Sequence, residues 1–123
     1  MPRTAAALAL SSHPGPSLAV AAVSVMLGIA VGLDPLHVTI LGVAFLLGQL
    51  SVGLSNDWID AERDRAVGRT DKPVAAGRVA IRTVRATSFV TAIAAILLTL
   101  PLGWRATLAH TLFIVSAWAY NLG

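Results

Sequence analysis

The chain has 123 residues, 56% of them hydrophobic and 12% charged, with a mean hydropathy of +0.77. That is too apolar for an ordinary soluble domain and places the chain in a membrane. The absence of cysteine excludes a disulfide frame, a thiolate metal site and a thiol nucleophile. The net charge of +3 does not point to nucleic acid: seven of the nine basic residues lie between positions 56 and 85, interleaved with five of the six acids, and Trp58 is the one aromatic there.

In chain order, residues 1–16 read as a mobile N-terminal leader. The apolar run after Arg3 is short and is broken by "SSHPGPS", unlike a signal peptide, and Pro14 and Pro16 set the entry to a first helix. Helices are predicted at about 17–33, 36–57, 79–100 and 104–123. Residues 36–55 are free of charge, and at about 1.5 Å per residue such a run spans about 30 Å, a hydrocarbon core. Asp34-Pro35 turns the first helix into the second, and Pro101 and Gly103 separate the last two. The expected fold class is all-α, a multi-pass transmembrane helical bundle with four membrane-spanning helices. A soluble bundle would need a charged face on every helix. Trp58, Trp104 and Trp118 suit membrane-interface belts, and His37 and His110 read as interfacial or packing residues.

The basic residues concentrate in the loop at 58–78, whereas "DPLH" has none, so this loop is expected on the cytoplasmic face of a cell membrane. Eight arginines against one lysine, with abundant Ala and Val, point to a GC-rich bacterial genome.

At the end of the second predicted helix stands N-D-x-x-D-x-x-x-D: Asn56, Asp57, Asp60 and Asp64. On a helix, Asn56, Asp60 and Asp64 follow each other at four-residue steps, each about 40° round from the last, with Asp57 beside them. Two carboxylates about 6 Å apart at an effective dielectric near 20 repel by roughly 3 kcal/mol, so a positive group is expected between them. Hard oxygen donors on one face suit Mg²⁺, which takes one or two carboxylates and completes its shell with water and substrate phosphates. Arg69, Lys72 and Arg78 follow in a loop broken by Gly68, Pro73 and Gly77 and can fold back to bind a diphosphate.

Other readings of the segment fit less well. Asp60, Glu62, Asp64 and Asp71 imitate a calcium-binding EF-hand loop, but Arg65 stands where that loop needs glycine. The D-G and A-R pairs of CDP-alcohol phosphotransferases are missing. A solvated juxtamembrane helix with Asp60 paired to Arg63 is the non-catalytic alternative. It would make the chain a small four-helix membrane protein, or a gene remnant, whose charged loop serves topology or partner binding.

"NDWIDAERD" at 56–64 and "GRTDKPVAAGRV" after it resemble the UbiA superfamily of intramembrane prenyltransferases, whose first signature is N-D-x-x-D-x-x-x-D. "AWAYNLG" resembles the family's tyrosine segment, with Tyr120 at the tyrosine. The resemblance implies a nine-helix transferase, of which residues 17–123 would be the N-terminal part. A polyprenyl diphosphate would ionise to an allylic cation, and a hydrophobic acceptor, aromatic or another lipid-pathway molecule, would capture that cation within the membrane lipid. It also implies Mg²⁺ held by Asn56, Asp57, Asp60 and Asp64. Asn56, Arg69, Lys72 and Arg78 would bind diphosphate, and Asp60, Asp64 and Tyr120 would serve the reaction. The family's second acidic motif is expected beyond these residues, since no acid follows Asp71. The chain alone is therefore expected to be an incomplete, inactive fragment.

Overall fold

The computed structural model describes residues 2–123, and among these the regular structure is entirely helical. The helices are α1 (Pro2–Ser11), α2 (Pro14–Ala30), α3 (Pro35–Ile59), α4 (Ala61–Ala66), α5 (Ile81–Leu98) and α6 (Trp104–Leu122), with a 3₁₀ turn at Leu100–Leu102. Helix α3 is the central post: it packs most extensively on α5, then α2, then α6, and α1 rests on it as well.

Small residues make this packing close. The buried positions of α3 include Ala44, Gly48, Ser51, Gly53 and Ser55, which let neighbouring helices approach their backbones. At Gly48 the neighbour is the ring of His110, which is buried and lies edge-on to Phe45 at 4.7 Å between centroids. The outward faces are apolar: Leu18, Met26 and Ile29 of α2, Val90, Ile93 and Leu97 of α5, and Leu108, Leu112 and Val115 of α6 are all at least half exposed. Such faces suit lipid rather than water.

By length and composition, α3 and the run Ile81–Leu102 are apolar and long enough to cross a membrane, and α1 with α2, bent by 64°, would make a third span as a broken pair. Helix α2 alone has 17 residues, and α6 carries Arg105, His110 and Asn121 among its 19. The result is a membrane protein with two to three candidate spans, where the sequence led to an expectation of four.

Two segments differ from expectation. Residues 2–11, expected in the mobile leader, form α1, whose Ala7 and Ser11 are buried against the bundle. The loop expected at 58–78 begins as helix: α3 continues to Ile59 and α4 follows. The rest of that loop is anchored, because Pro73 and Val74 are fully buried and Val74 joins Leu54, Ala61, Val79 and Val84 in an apolar cluster.

Trp58 and Trp118 are partly buried and packed on neighbouring helices. Trp58 Nε1 donates to Ser88 Oγ at 3.0 Å, and Arg85 lies over its ring at 5.4 Å. Trp118 lies 4.9 Å from Phe89. Trp104 remains 71% exposed, as an interfacial residue would be. Asp34 caps α3 by accepting from the backbone N–H groups of Leu36 and His37, and its side chain also pairs with His37. These bonds, the His37 backbone N–H first, hold the Asp34 carboxyl below its ordinary value.

Candidate functional site

The acidic motif sits where α3 gives way to α4. The helix breaks at Asp60, yet Asp60 N–H still bonds Asn56 O at 3.0 Å and Asp64 N–H bonds Asp60 O at 2.8 Å, so the four-residue register carries across the break. That register brings Asn56, Asp60 and Asp64 into one row. Asn56 Nδ2 donates to Asp60 Oδ2 at 3.0 Å.

Two glycines then return the chain to this row. Gly68 (φ 70°) ends α4: its N–H bonds Arg65 O at 3.1 Å, and Arg69 N–H bonds Asp64 O at 2.9 Å, a Schellman cap. Gly77 (φ 72°) closes the next turn with the same pair of bonds, to Val74 O and Pro73 O. Between them the buried Pro73 and Val74 pin the loop, and Lys72 points inward at 8% exposure. Its Nζ donates to Asn56 Oδ1 at 2.7 Å and lies 3.7 Å from Asp64 Oδ2.

Lys72 and the 7% exposed Asp64 are both buried charges, and each is tolerable only with the other present. Asp60 has an outer partner in Arg63 at 3.7 Å, but Arg63 is 76% exposed and water screens the pair. The buried ammonium is thus paired with Asp64, and Asp60 has only the screened Arg63. Asp64 Oδ2 is buried without a hydrogen bond.

That oxygen, held by no hydrogen bond and only by the 3.7 Å ion pair with Lys72, keeps lone pairs that a hard cation can use as part of its shell. Among the described residues no three His, Asp or Glu side chains converge to hold a metal unaided. Asn56, Asp60 and Asp64 could supply only protein ligands to an ion completed by water and phosphate oxygens.

The other expected site residues are distributed. Asp57 turns away from the row: it is fully buried and accepts from the Ser11 hydroxyl of α1, with Oδ1 left unpartnered. Arg69 makes a two-pronged pair with Asp71, Nε and Nη2 reaching its two oxygens at 2.7 and 2.6 Å, instead of facing the acids. This hydrogen bonding pushes the Asp71 carboxyl down to about 2 and raises the guanidinium further. Arg78 Nη2 bonds Thr70 O at 2.5 Å and does not contact the row. Tyr120 shares a cleft of about 490 Å³ with two members of the row, Asn56 and Asp60, and with Arg63, Asn121 and Gly123, whereas Asp64 and Lys72 do not line it.

Two contributors escaped the sequence reading. Ser11 lies 46 positions from Asp57, and nothing local marks the pairing. Asn121 Nδ2 donates to Val52 O at 3.0 Å and Ser55 Oγ at 2.8 Å, which fixes the end of α6 against α3 and holds the cleft wall. An amide at the end of an otherwise apolar helix was the available signal for it.

No curated protein and no solved structure matches the chain. The model of the UbiA prenyltransferase family matches residues 4–123, and the chain, with its acid row at the end of an apolar helix, belongs to that family of intramembrane prenyltransferases.

Proposed function

We propose that the row Asn56, Asp60 and Asp64, with Lys72, is the diphosphate end of a Mg²⁺-dependent prenyl-transfer site, on the cytoplasmic side of a bacterial cell membrane that α2 and α6 also cross. The observation that carries this reading is the buried Asp64 oxygen that accepts no hydrogen bond and has only a 3.7 Å ion pair to Lys72, in the row whose Asp60 is bonded by Asn56. When bound, Mg²⁺ would neutralise the charge that a diphosphate leaving group accumulates. Asn56, Asp60 and Asp64 would hold the ion.

Lys72 is already inside the site and offers its remaining N–H donors to a phosphate oxygen, so little ordering is left for binding to impose. Arg69 would come to the diphosphate only after leaving Asp71, and Arg78, held by Thr70 O away from the row, has no part in this reading. Tyr120, 87% exposed in the cleft, is free to border the prenyl chain near its reacting end. Asp57 is assigned a positioning part in this reading, joining α1 to the helix that carries the row. The acceptor is a hydrophobic molecule reached within the lipid.

A second reading has support in the bond from Lys72 to Asn56: it makes the cluster a self-satisfied fold element in a non-catalytic loop. Calorimetric titration of the purified chain with geranylgeranyl diphosphate, with and without Mg²⁺, separates the two. Binding that needs Mg²⁺ and is lost in Asp64→Asn and Asp60→Ala, but kept in Arg105→Gln, is the expected result. Titrations identical across these variants would reject the transferase site in favour of the second reading.

A further inference from the structure

Helix α1 is bent 64° from α2 and rests on the same end of α3 as the charged loop. One face of it, with Ala7 and Ser11, is buried, whereas Ala6 and Ala9 are exposed and Leu10 is 53% exposed. A short helix with an apolar outer face, at the polar end of a membrane bundle, suits the headgroup and acyl-chain boundary. Beside it runs a groove of about 480 Å³ lined by Arg3, Ala6, Ala7, Leu10 and Arg78.

The groove joins two guanidiniums from different elements to an apolar floor, and no acid lines it. Neither Arg3 nor Arg78 takes part in an ion pair among the described residues. Arg78 spends one N–H on Thr70 O, which fixes its direction and leaves its other donors. The groove shares no residue with the Asn56–Tyr120 cleft.

We propose that this groove binds the anionic headgroup of a membrane glycerophospholipid, with the phosphate between Arg3 and Arg78 and the start of an acyl chain over Ala6 and Leu10. Charge complementarity selects the occupant: guanidinium forks match phosphate oxygens, and an apolar floor beside them suits an anion that carries a chain. The proposal does not rest on the transferase reading of the acid row.

Native mass spectrometry of the full chain in neutral detergent, titrated with phosphatidylglycerol, tests it. One phosphatidylglycerol should be retained per chain. Retention should fall about tenfold or more in Arg3→Gln/Arg78→Gln, the loss expected for two arginines at an anionic lipid surface. It should fall less in Arg3→Lys/Arg78→Lys and stay unchanged in Arg105→Gln. Glycerol 3-phosphate and geranylgeranyl diphosphate should not displace the lipid at equal concentration.

Four outcomes would overturn the proposal: equal retention by a double glutamine variant with wild-type helicity, equally firm retention of phosphatidylcholine, displacement by glycerol 3-phosphate (a free-phosphate site), or displacement by the prenyl diphosphate (the substrate's own site). If the double glutamine variant does not keep its helicity, Arg3→Gln alone carries the test, because that side chain is exposed. A loss of about threefold or more is expected there, and unchanged affinity would overturn the proposal.

Discussion

Gly53→Ala should unseat the junction of α1 and α2. A Cβ at Gly53 would stand 2.3 Å from the Ser12 carbonyl oxygen and 2.6 Å from its carbon, where ordinary contact begins near 3.4 Å. Both are backbone atoms, so no rotamer change relieves the overlap. Overpacking costs about 1–3 kcal/mol, and a clash against backbone falls at the upper end. Alanine returns at most about 1 kcal/mol through helix propensity, which leaves a net loss of about 1–2 kcal/mol. Gly15→Ala is the matched control: nothing lies within 4 Å of its Cβ, so it should gain roughly 0.5 kcal/mol. Equilibrium unfolding in mixed micelles, followed by far-UV circular dichroism, measures both. The moved junction should also draw Ser11 from Asp57, seen as faster hydrogen exchange in α1. A Gly53→Ala midpoint at or above wild type would refute this account of the close approach.

Three further outcomes follow from other contacts. Ser11→Ala and Asp57→Ala should be non-additive, with a coupling of about 1–3 kcal/mol in a double-mutant cycle, because each leaves the other's buried polar group alone; additive losses would deny the tether. Asn121→Ala should cost about 1–2 kcal/mol by releasing Val52 O and Ser55 Oγ, and a spin label at Tyr120 should become more mobile; unchanged stability and label spectrum would contradict that role. The Asp71 carboxyl, lowered by its bonds from Arg69, should titrate at about 2 by carbon NMR and return to the ordinary range in Arg69→Gln. Its folded value lies below its unfolded value of about 4, so the pair stabilises fully above pH about 4 and loses that contribution as pH falls through about 2.

The sequence carried the acid row because four-residue spacing survives a local break: the i to i−4 bonds through Asp60 keep Asn56, Asp60 and Asp64 aligned. It carried Lys72 only as one of three basic candidates. What singles it out is the burial of Pro73 and Val74 and the turns at Gly68 and Gly77, which are tertiary facts. Arg69 was drawn instead to a carboxylate two residues away, a local pair that competes with any distant site. Asp57 shares the motif but faces α1, since its partner Ser11 lies in a segment read as a leader. That segment's short apolar run gave too little signal for a docked helix, whereas α3 and α5 were legible from length and apolarity alone.

The central claim is that Asp60 and Asp64 hold a divalent cation together with a prenyl diphosphate, while Asp57 holds the fold. Mn²⁺ electron paramagnetic resonance on the purified chain tests it most directly. Geranylgeranyl diphosphate chelates Mn²⁺ by itself, so each sample is read against a protein-free blank: the free six-line signal should fall below that blank in the wild type and in Asp57→Asn, and should match it in Asp64→Asn. An equal fall below the blank in Asp64→Asn, or none in the wild type, would contradict the account.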